Sequence, residues 1–272
     1  MLSLVVRLIF APGTPIVTSL GAYSTCDYHV AGYDGKLETV PYSNNHEDPD
    51  ANLAAAVAHD SPLMNFAVPN KPMGTWYSTS DVQSLIDTVP VGKRLVLDEA
   101  HVVFAAEPTA PPIDTSVPRV IRMRTFSKAH GMAGARIGYP IAHRDIITGI
   151  NKIRLHFTVK RIAQIGGLAL IHDHEHITDL AAKVARSRQE YFDLATRLQL
   201  PFVPSATNFI SIDVRLGYRA RALVQKLAKN SFFIRLPSAP KLDQCVRVTV
   251  GTSADRALFA DALKDALDAV PA

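Results

Sequence analysis

Cysteine is almost missing from this chain of 272 residues. Cys26 and Cys245 stand far apart and match neither a metal-ligand spacing nor a disulfide framework, so both are expected as buried thiols. Runs of one charge are missing too. The 29 lysines and arginines against 25 acidic residues leave a formal net charge of +4, scattered along the chain. That gives no footing for a nucleic-acid partner but suits anionic small molecules. No apolar run is long enough to cross a bilayer, so no membrane partner is expected. The opening Met1 to Phe10 carries neither a basic leader nor a small-residue cleavage site and reads as the back half of a buried helix. Internal repeats and low-complexity runs are lacking.

What is present is an alternation of short apolar strands with helices. Strands are expected at 15–19, 36–42, 64–68, 94–98, 119–124 and 138–142. Helices are expected at 23–33, at 51–58 with Asp50 as cap and at 81–88 with Ser80 as cap. The pattern predicts a three-layer α/β domain with a largely parallel sheet. From Arg144 to Leu198 the chain reads as at least three helices. A small α+β unit follows, with strands at 208–213, 232–236 and 246–250 and helices at 220–229 and 255–270. His172-Asp173-His174-Glu175-His176 has the residue types of a divalent-metal site, but no cysteine or distant acid completes it. It is read as a solvated turn that caps a long helix starting near Ile177.

Three stretches carry chemistry. The strand at 64–68 runs into Pro69-Asn70-Lys71-Pro72-Met73-Gly74, where prolines and glycine forbid regular structure at a sheet's carboxyl edge, the place where open α/β sheets bind ligands. Asp98 ends the apolar strand 94–98; it either needs a partner to offset its desolvation or is the N-cap of a helix from Glu99 onward. In Arg124-Thr125-Phe126-Ser127-Lys128, continuing through Gly131 and Gly134 to Arg136, hydroxyls, small residues and a second cation surround one lysine. Lys128 is a surface lysine before a glycine-rich loop or a lysine held at a tight turn beside a phosphate. In the second case Arg136 is a candidate cation for lowering its pKa, and Ser127 and Thr125 are candidate donors to phosphate oxygens.

Taken in order, Pro69-Asn70-Lys71-Pro72-Met73-Gly74, Asp98-Glu99-Ala100-His101, Ser127-Lys128 through Arg136, and Arg247-Val248-Thr249-Val250-Gly251 resemble the motifs of the fold-type I, class I/II pyridoxal-phosphate aminotransferases, nearest the histidinol-phosphate aminotransferase-like branch. The resemblance covers nearly the whole chain. It implies a PLP-transferase fold with a cofactor-binding large domain at 1–165 and a small C-terminal domain with its bridging helix at 166–272. It implies pyridoxal 5'-phosphate as cofactor, with Lys128 as the amine bonded to it and the later proton shuttle. Asp98 is implied as partner of the protonated ring nitrogen, Ser127, Thr125 and Arg136 as phosphate ligands, and Tyr23 as the aromatic stacked on the ring. Arg247 is implied as the clamp on the substrate carboxylate. Arg235 is a second substrate contact or an exposed strand-end arginine, and Asn208 a substrate neighbour or a turn residue.

Lys71 and His101 depart from the asparagine and tyrosine that the family places at the cofactor's ring oxygen. Both can still donate, and a cationic Lys71 would favour the ionised oxygen. By the same resemblance, the family's N-terminal segment, with a phosphate-gripping turn and a substrate-covering arm, precedes the point where Met1 falls, so cofactor affinity is expected to be lower. The expected activity is amino transfer between an amino acid or amino-alcohol phosphate and a 2-oxo acid, in a cytoplasmic homodimer. The rivals are an amino-acid-phosphate decarboxylase of the same fold, a non-catalytic remnant and a binding module for anionic metabolites.

Overall fold

The computed structural model describes residues 1–270. Its helices and strands run α1 (Leu2–Ile9), β1 (Pro15–Ser19), α2 (Thr25–Gly32), β2 (Lys36–Val40), α3 (Pro49–Ala58), β3 (Leu63–Ala67), α4 (Thr79–Thr88), β4 (Arg94–Asp98), β5 (Val120–Thr125) and β6 (Gly138–Ala142). They continue through α5 (Arg144–Ile153), α6 (Arg161–Ile171), α7 (His174–Arg197), β7 (Phe202–Val203), β8 (Phe209–Asp213), α8 (Gly217–Lys229), β9 (Cys245–Thr249) and α9 (Ser253–Ala269).

Six strands form one sheet in the order β2-β1-β3-β4-β5-β6, parallel except for β6, which pairs antiparallel with β5. The apolar runs explain why: β3 is buried at every position and β4 at its three middle ones, as strands covered on both faces must be. On one face Ile16, Leu63, Val96 and Ile121 meet Val5 and Val6 of α1, Cys26 of α2 and Ile146 of α5. On the other, Val17, Met64, Phe66, Leu95 and Leu97 meet Ala56 of α3 and Leu85 of α4. Each fully buried Leu, Ile or Met contributes roughly 1.5–3 kcal/mol over its exposed state. The three-layer α/β architecture is therefore as expected. Both cysteines are free and buried.

The second sheet, β7-β8-β9, is antiparallel. Ile210, Ile212, Val246 and Val248 pack on Tyr191 and Leu194 of α7, Leu223 and Leu227 of α8, and Phe259 and Leu263 of α9. The strand expected at 232–236 does not form. Arg235 makes a single antiparallel bridge to Arg247, with backbone bonds of 2.9 and 2.7 Å. Pro237, which has no N–H, follows two residues on, and Phe233 is exposed, so no ladder extends.

Two helix starts also differ from expectation. Asp48, not Asp50, caps α3, accepting from Ala51 N at 2.9 Å with Pro49 in the first turn. Ser78, not Ser80, caps α4 in a reciprocal box with Asp81. In α7, Asp173 accepts from His176 N at 3.0 Å, so His174 and His176 belong to the helix's first turn, while His172 ends α6 before it. Among the described residues no group of His, Cys, Asp and Glu is arranged to hold a metal, and no helix is long and apolar enough to cross a membrane.

The loop after β3 ties the two sheets together. Ala206 N donates to Gly74 O at 2.8 Å. Gly74 has φ +92°, and a Cβ there would lie 2.4 Å from Ser205 Oγ; only glycine allows this approach.

Candidate active site

At the carboxyl ends of β3, β4 and β5 lies a cavity of about 310 Å³. Tyr23, Lys71, Asp98, His101, Thr125, Ser127, Lys128 and Arg136 all line it, so the eight residues expected around the cofactor share one space. Thr25, Pro69, Arg124 and the amino end of α1 complete its wall.

Asp98 stands at the tip of β4, where its Oδ1 accepts from Ala100 N at 3.0 Å. That turn bond orients the carboxylate, and among the described residues no side chain closes a hydrogen bond on Oδ2. The group lies deep in the protein yet faces the cavity. Burial raises its pKa, and the Ala100 N–H, Lys71 and Lys128 oppose the rise. No helix begins at Glu99, so Asp98 is not a helix cap; its Ala100 bond closes a turn, and Lys71 and Lys128 are the cations that favour its charged form.

The lysine sits in an excursion closed at both ends by the antiparallel β5–β6 pair, whose last rung joins Thr125 and Gly138. Phe126 N donates to Ile137 O at 3.2 Å, Met132 N to Phe126 O at 2.9 Å and Gly131 N to Lys128 O at 2.9 Å. Phe126 and Ala129 are buried, which leaves Lys128 half-buried at the cavity wall. Thr125 Oγ1 accepts from Ser127 N at 3.0 Å and so keeps its own proton to donate. Arg136 has left-handed backbone, φ 56°, and its Nη1 donates to Ala133 O at 2.8 Å.

Beneath the turn, Glu99 is buried and accepts from Arg122 Nε at 2.5 Å and Arg124 Nε at 2.8 Å. This ion triad fixes the ends of β4 and β5 to each other.

Cations gather on the side nearer the second sheet. Lys71 Nζ lies 3.8 Å from the centroid of the Tyr23 ring, a cation–π contact. Burial first, then Arg247, Lys128 and Arg235, bring its pKa down to about 8. The same surroundings push His101 down to about 3, burial being the main cause, so its imidazole is neutral. Neither of its ring nitrogens has a hydrogen-bond partner; the Asn208 side chain approaches and favours the protonated form, but no bond closes.

Asn208, Arg235 and Arg247 do not line the cavity itself. They stand beside it on the second sheet and the segment that bridges to it. Arg247 lies 4.8 Å over the Phe209 ring, and Arg235 is exposed.

One residue near the site gave no sequence signal. Glu47 lies in a polar run read as a loop, yet it is fully buried; its Oε2 accepts from Ala67 N at 2.8 Å and Oε1 has no partner. Ser19 and Asn70 approach without completing a bond to Oε1, and burial pushes the pKa up to about 8.

With this geometry in place, the comparisons with known proteins agree. Residues 1–263 match the family Aminotransferase class I and II, and the chain belongs to that family. It is a pyridoxal-phosphate-dependent aminotransferase by family and fold, similar to histidinol-phosphate aminotransferases. The enzyme of that name from Roseiflexus castenholzii is 31% identical over 269 residues, 97% of this chain and 71% of that one. Among solved structures, the histidinol-phosphate aminotransferase of Sinorhizobium meliloti in complex with pyridoxal-5'-phosphate is 39% identical, with a TM-score of 0.97 over 99% of this chain and 75% of that one. The L-threonine-O-3-phosphate decarboxylase of Porphyromonas gingivalis shares the fold, with a TM-score of 0.80 at 23% identity over 98% of this chain and 80% of that one.

Proposed function

We propose that the protein moves an amino group between a 2-oxo acid and a primary amine bearing an anionic group, either an α-amino acid or a histidinol-phosphate-like amino-alcohol phosphate. The observation that carries this reading is a cavity lined by Lys71, Lys128 and Arg136, with Arg235 and Arg247 beside it, where Asp98 is the acid that faces Lys71 and Lys128. Such an excess of cations is unfavourable until an anion enters.

The residues present fit pyridoxal phosphate. The cavity volume lies at the lower end of the ~300–1,000 Å³ usual for ligand sites. Asp98 keeps Oδ2 for a protonated ring nitrogen, and the two orphaned nitrogens of buried His101 call for a polar partner. When bound, the cofactor supplies an electron-poor ring and a carbonyl carbon that accepts the substrate nitrogen.

The chain's own residues divide the remaining work. Asp98 holds the proton at the ring nitrogen. Thr125, Ser127 and Arg136 hold the phosphate, and Tyr23 lies against the ring. Lys128 would supply the amine that holds the cofactor's carbonyl carbon and would move a proton at the substrate Cα. Neutral His101 and Lys71 donate toward the ring oxygen. Arg247 grips the substrate carboxylate through two parallel N–H bonds, with Arg235 and Asn208 beside it.

The division into 1–165 and 166–272 belongs to this reading, supported by one sheet on either side, with α7 packed on β8 and reaching the first part at Phe104 and Ala129. So do a homodimer and a cytoplasmic location. For the homodimer, the support is the exposed apolar set Leu155, Phe157, Ile162, Ile165 and Leu168.

Incubation with pyridoxal phosphate, a ¹⁵N-labelled amino donor and a 2-oxo acid tests the function. Labelled amino acid formed from the oxo acid, without release of carbon dioxide, is the expected result. Carbon dioxide release from an amino-acid phosphate would replace the reading with decarboxylation, and no transfer from any amino acid or amino-alcohol phosphate would overturn it.

A further inference from the structure

Two primary amines share the cavity, Lys71 from the loop after β3 and Lys128 from the β5–β6 excursion. The reading above uses one of them as the amine that takes the carbonyl carbon. The other is placed no less firmly. Its loop is fixed by Met73 N donating to Asn70 Oδ1 at 3.1 Å, Gly74 N to Asn70 O at 3.1 Å and Asn70 N to Thr75 O at 2.7 Å. Among the described residues no acid closes a salt bridge with Lys71; its ammonium rests on the Tyr23 ring.

The groups that face Lys71 come from every element packed around it. Arg247 on β9, Arg235 on the segment bridged to it, and Lys128 on the β5–β6 excursion all repel its charge; Asp98 on β4 and the face of the Tyr23 ring favour it. Half-buried, out-numbered by cations and held without an acid of its own, this amine sheds its proton more readily than an exposed lysine does, and a free amine is the form that attacks a carbonyl.

We propose that Lys71 is a second aldehyde-capturing amine of this cavity. Its Nζ adds to the aldehyde carbon of pyridoxal phosphate, two amine hydrogens and the carbonyl oxygen leave as one water, and a carbon–nitrogen double bond remains. The inference rests on the reading of the cavity as the pyridoxal phosphate site.

The test treats the unaltered protein, Lys128→Ala and Lys128→Arg with pyridoxal phosphate across a pH series, reduces each with borohydride and maps the labelled lysines by mass spectrometry. The unaltered protein is expected to carry its label on Lys128. Both variants are expected to carry one label per chain on Lys71, ahead of exposed Lys36 and Lys264. In Lys128→Arg, which keeps the neighbouring charge, labelling of Lys71 is half-maximal near pH 8. In Lys128→Ala the midpoint moves up, because one of the repelling cations is gone. Two variants guard against one failing to fold.

Labelling of Lys71 no stronger than that of Lys36 and Lys264 in both variants overturns the proposal. If the unaltered protein takes no label at Lys128 but does so at Lys71, the proposal stands and the role given to Lys128 falls. Label at neither overturns both.

Discussion

At the scale of single residues, the site is governed by what happens to charge when water is withdrawn. Asp98 faces two lysines, and on the proposed reading the charge-assisted bond that it would offer a ring nitrogen is worth about 1.5–3 kcal/mol. Asp98→Asn should therefore lower kcat/KM on the order of 10²-fold, with native fold and cofactor stoichiometry checked by circular dichroism and absorbance. Glu47 works in the opposite sense. Its pKa rises from 4.5 to about 8 on folding, so the folded state binds the proton more tightly than the unfolded state. Its contribution is most favourable below about 4.5 and is lost as pH climbs to about 8. Glu47→Gln removes that dependence. Over this window, Tm of the variant should gain on the wild type as pH rises, by the equivalent of a few kcal/mol at most; parallel Tm profiles would refute it. Asp98 was legible because it ends an apolar strand. Glu47 was not, because its burial comes from packing against Ala67, 20 residues away, and nothing local in a polar run announces that.

At the scale of elements, two junctions hold the site. In the Arg122–Glu99–Arg124 triad a buried carboxylate serves two guanidiniums. Glu99→Gln leaves that charge uncompensated and should cost roughly 3–5 kcal/mol, read as a lowered urea midpoint with an unchanged slope. At the other junction, Gly74→Ala places a methyl against Ser205 and forces a left-handed backbone on alanine. A loss of about 1–3 kcal/mol is expected. Trp76, the one tryptophan of the chain, lies two residues from Gly74, so its fluorescence should shift as well. The parallel strands were readable from sequence because burial on both faces leaves unbroken apolar runs. The segment 232–236 has the same β-branched and aromatic texture, but a strand needs an edge to pair with along its length, and here only Arg235 finds one. The cap positions slipped by two residues because several hydroxyl or carboxylate side chains lie in a row. Which one caps depends on whose oxygen meets the free N–H, a matter of backbone direction rather than residue type.

At the scale of the whole molecule, one sheet carries Asp98 and the Lys128 turn while the other carries Asn208 and Arg247. The order of motifs along the chain made this division legible. The clustering of Lys71 with Arg235 and Arg247 was implied only by the family resemblance, since spacing alone says nothing of residues more than 160 positions apart in sequence. The exposed apolar residues around α6 lead to an expectation for the assembled state. Light scattering should give twice the chain mass, and Ile165→Lys with Leu168→Lys should shift it toward the single chain. An unshifted dimer would place the interface elsewhere. The β4–β5 pairing has a wider consequence. The acid and the reactive turn come from neighbouring strands about 4.8 Å apart, so their separation is a spacing of the sheet itself and does not depend on where the smaller sheet sits. If the proposed roles hold, the smaller sheet is free to exchange arginines and redraw which amines are accepted, while the Asp98–Lys128 spacing is inherited unchanged with the sheet.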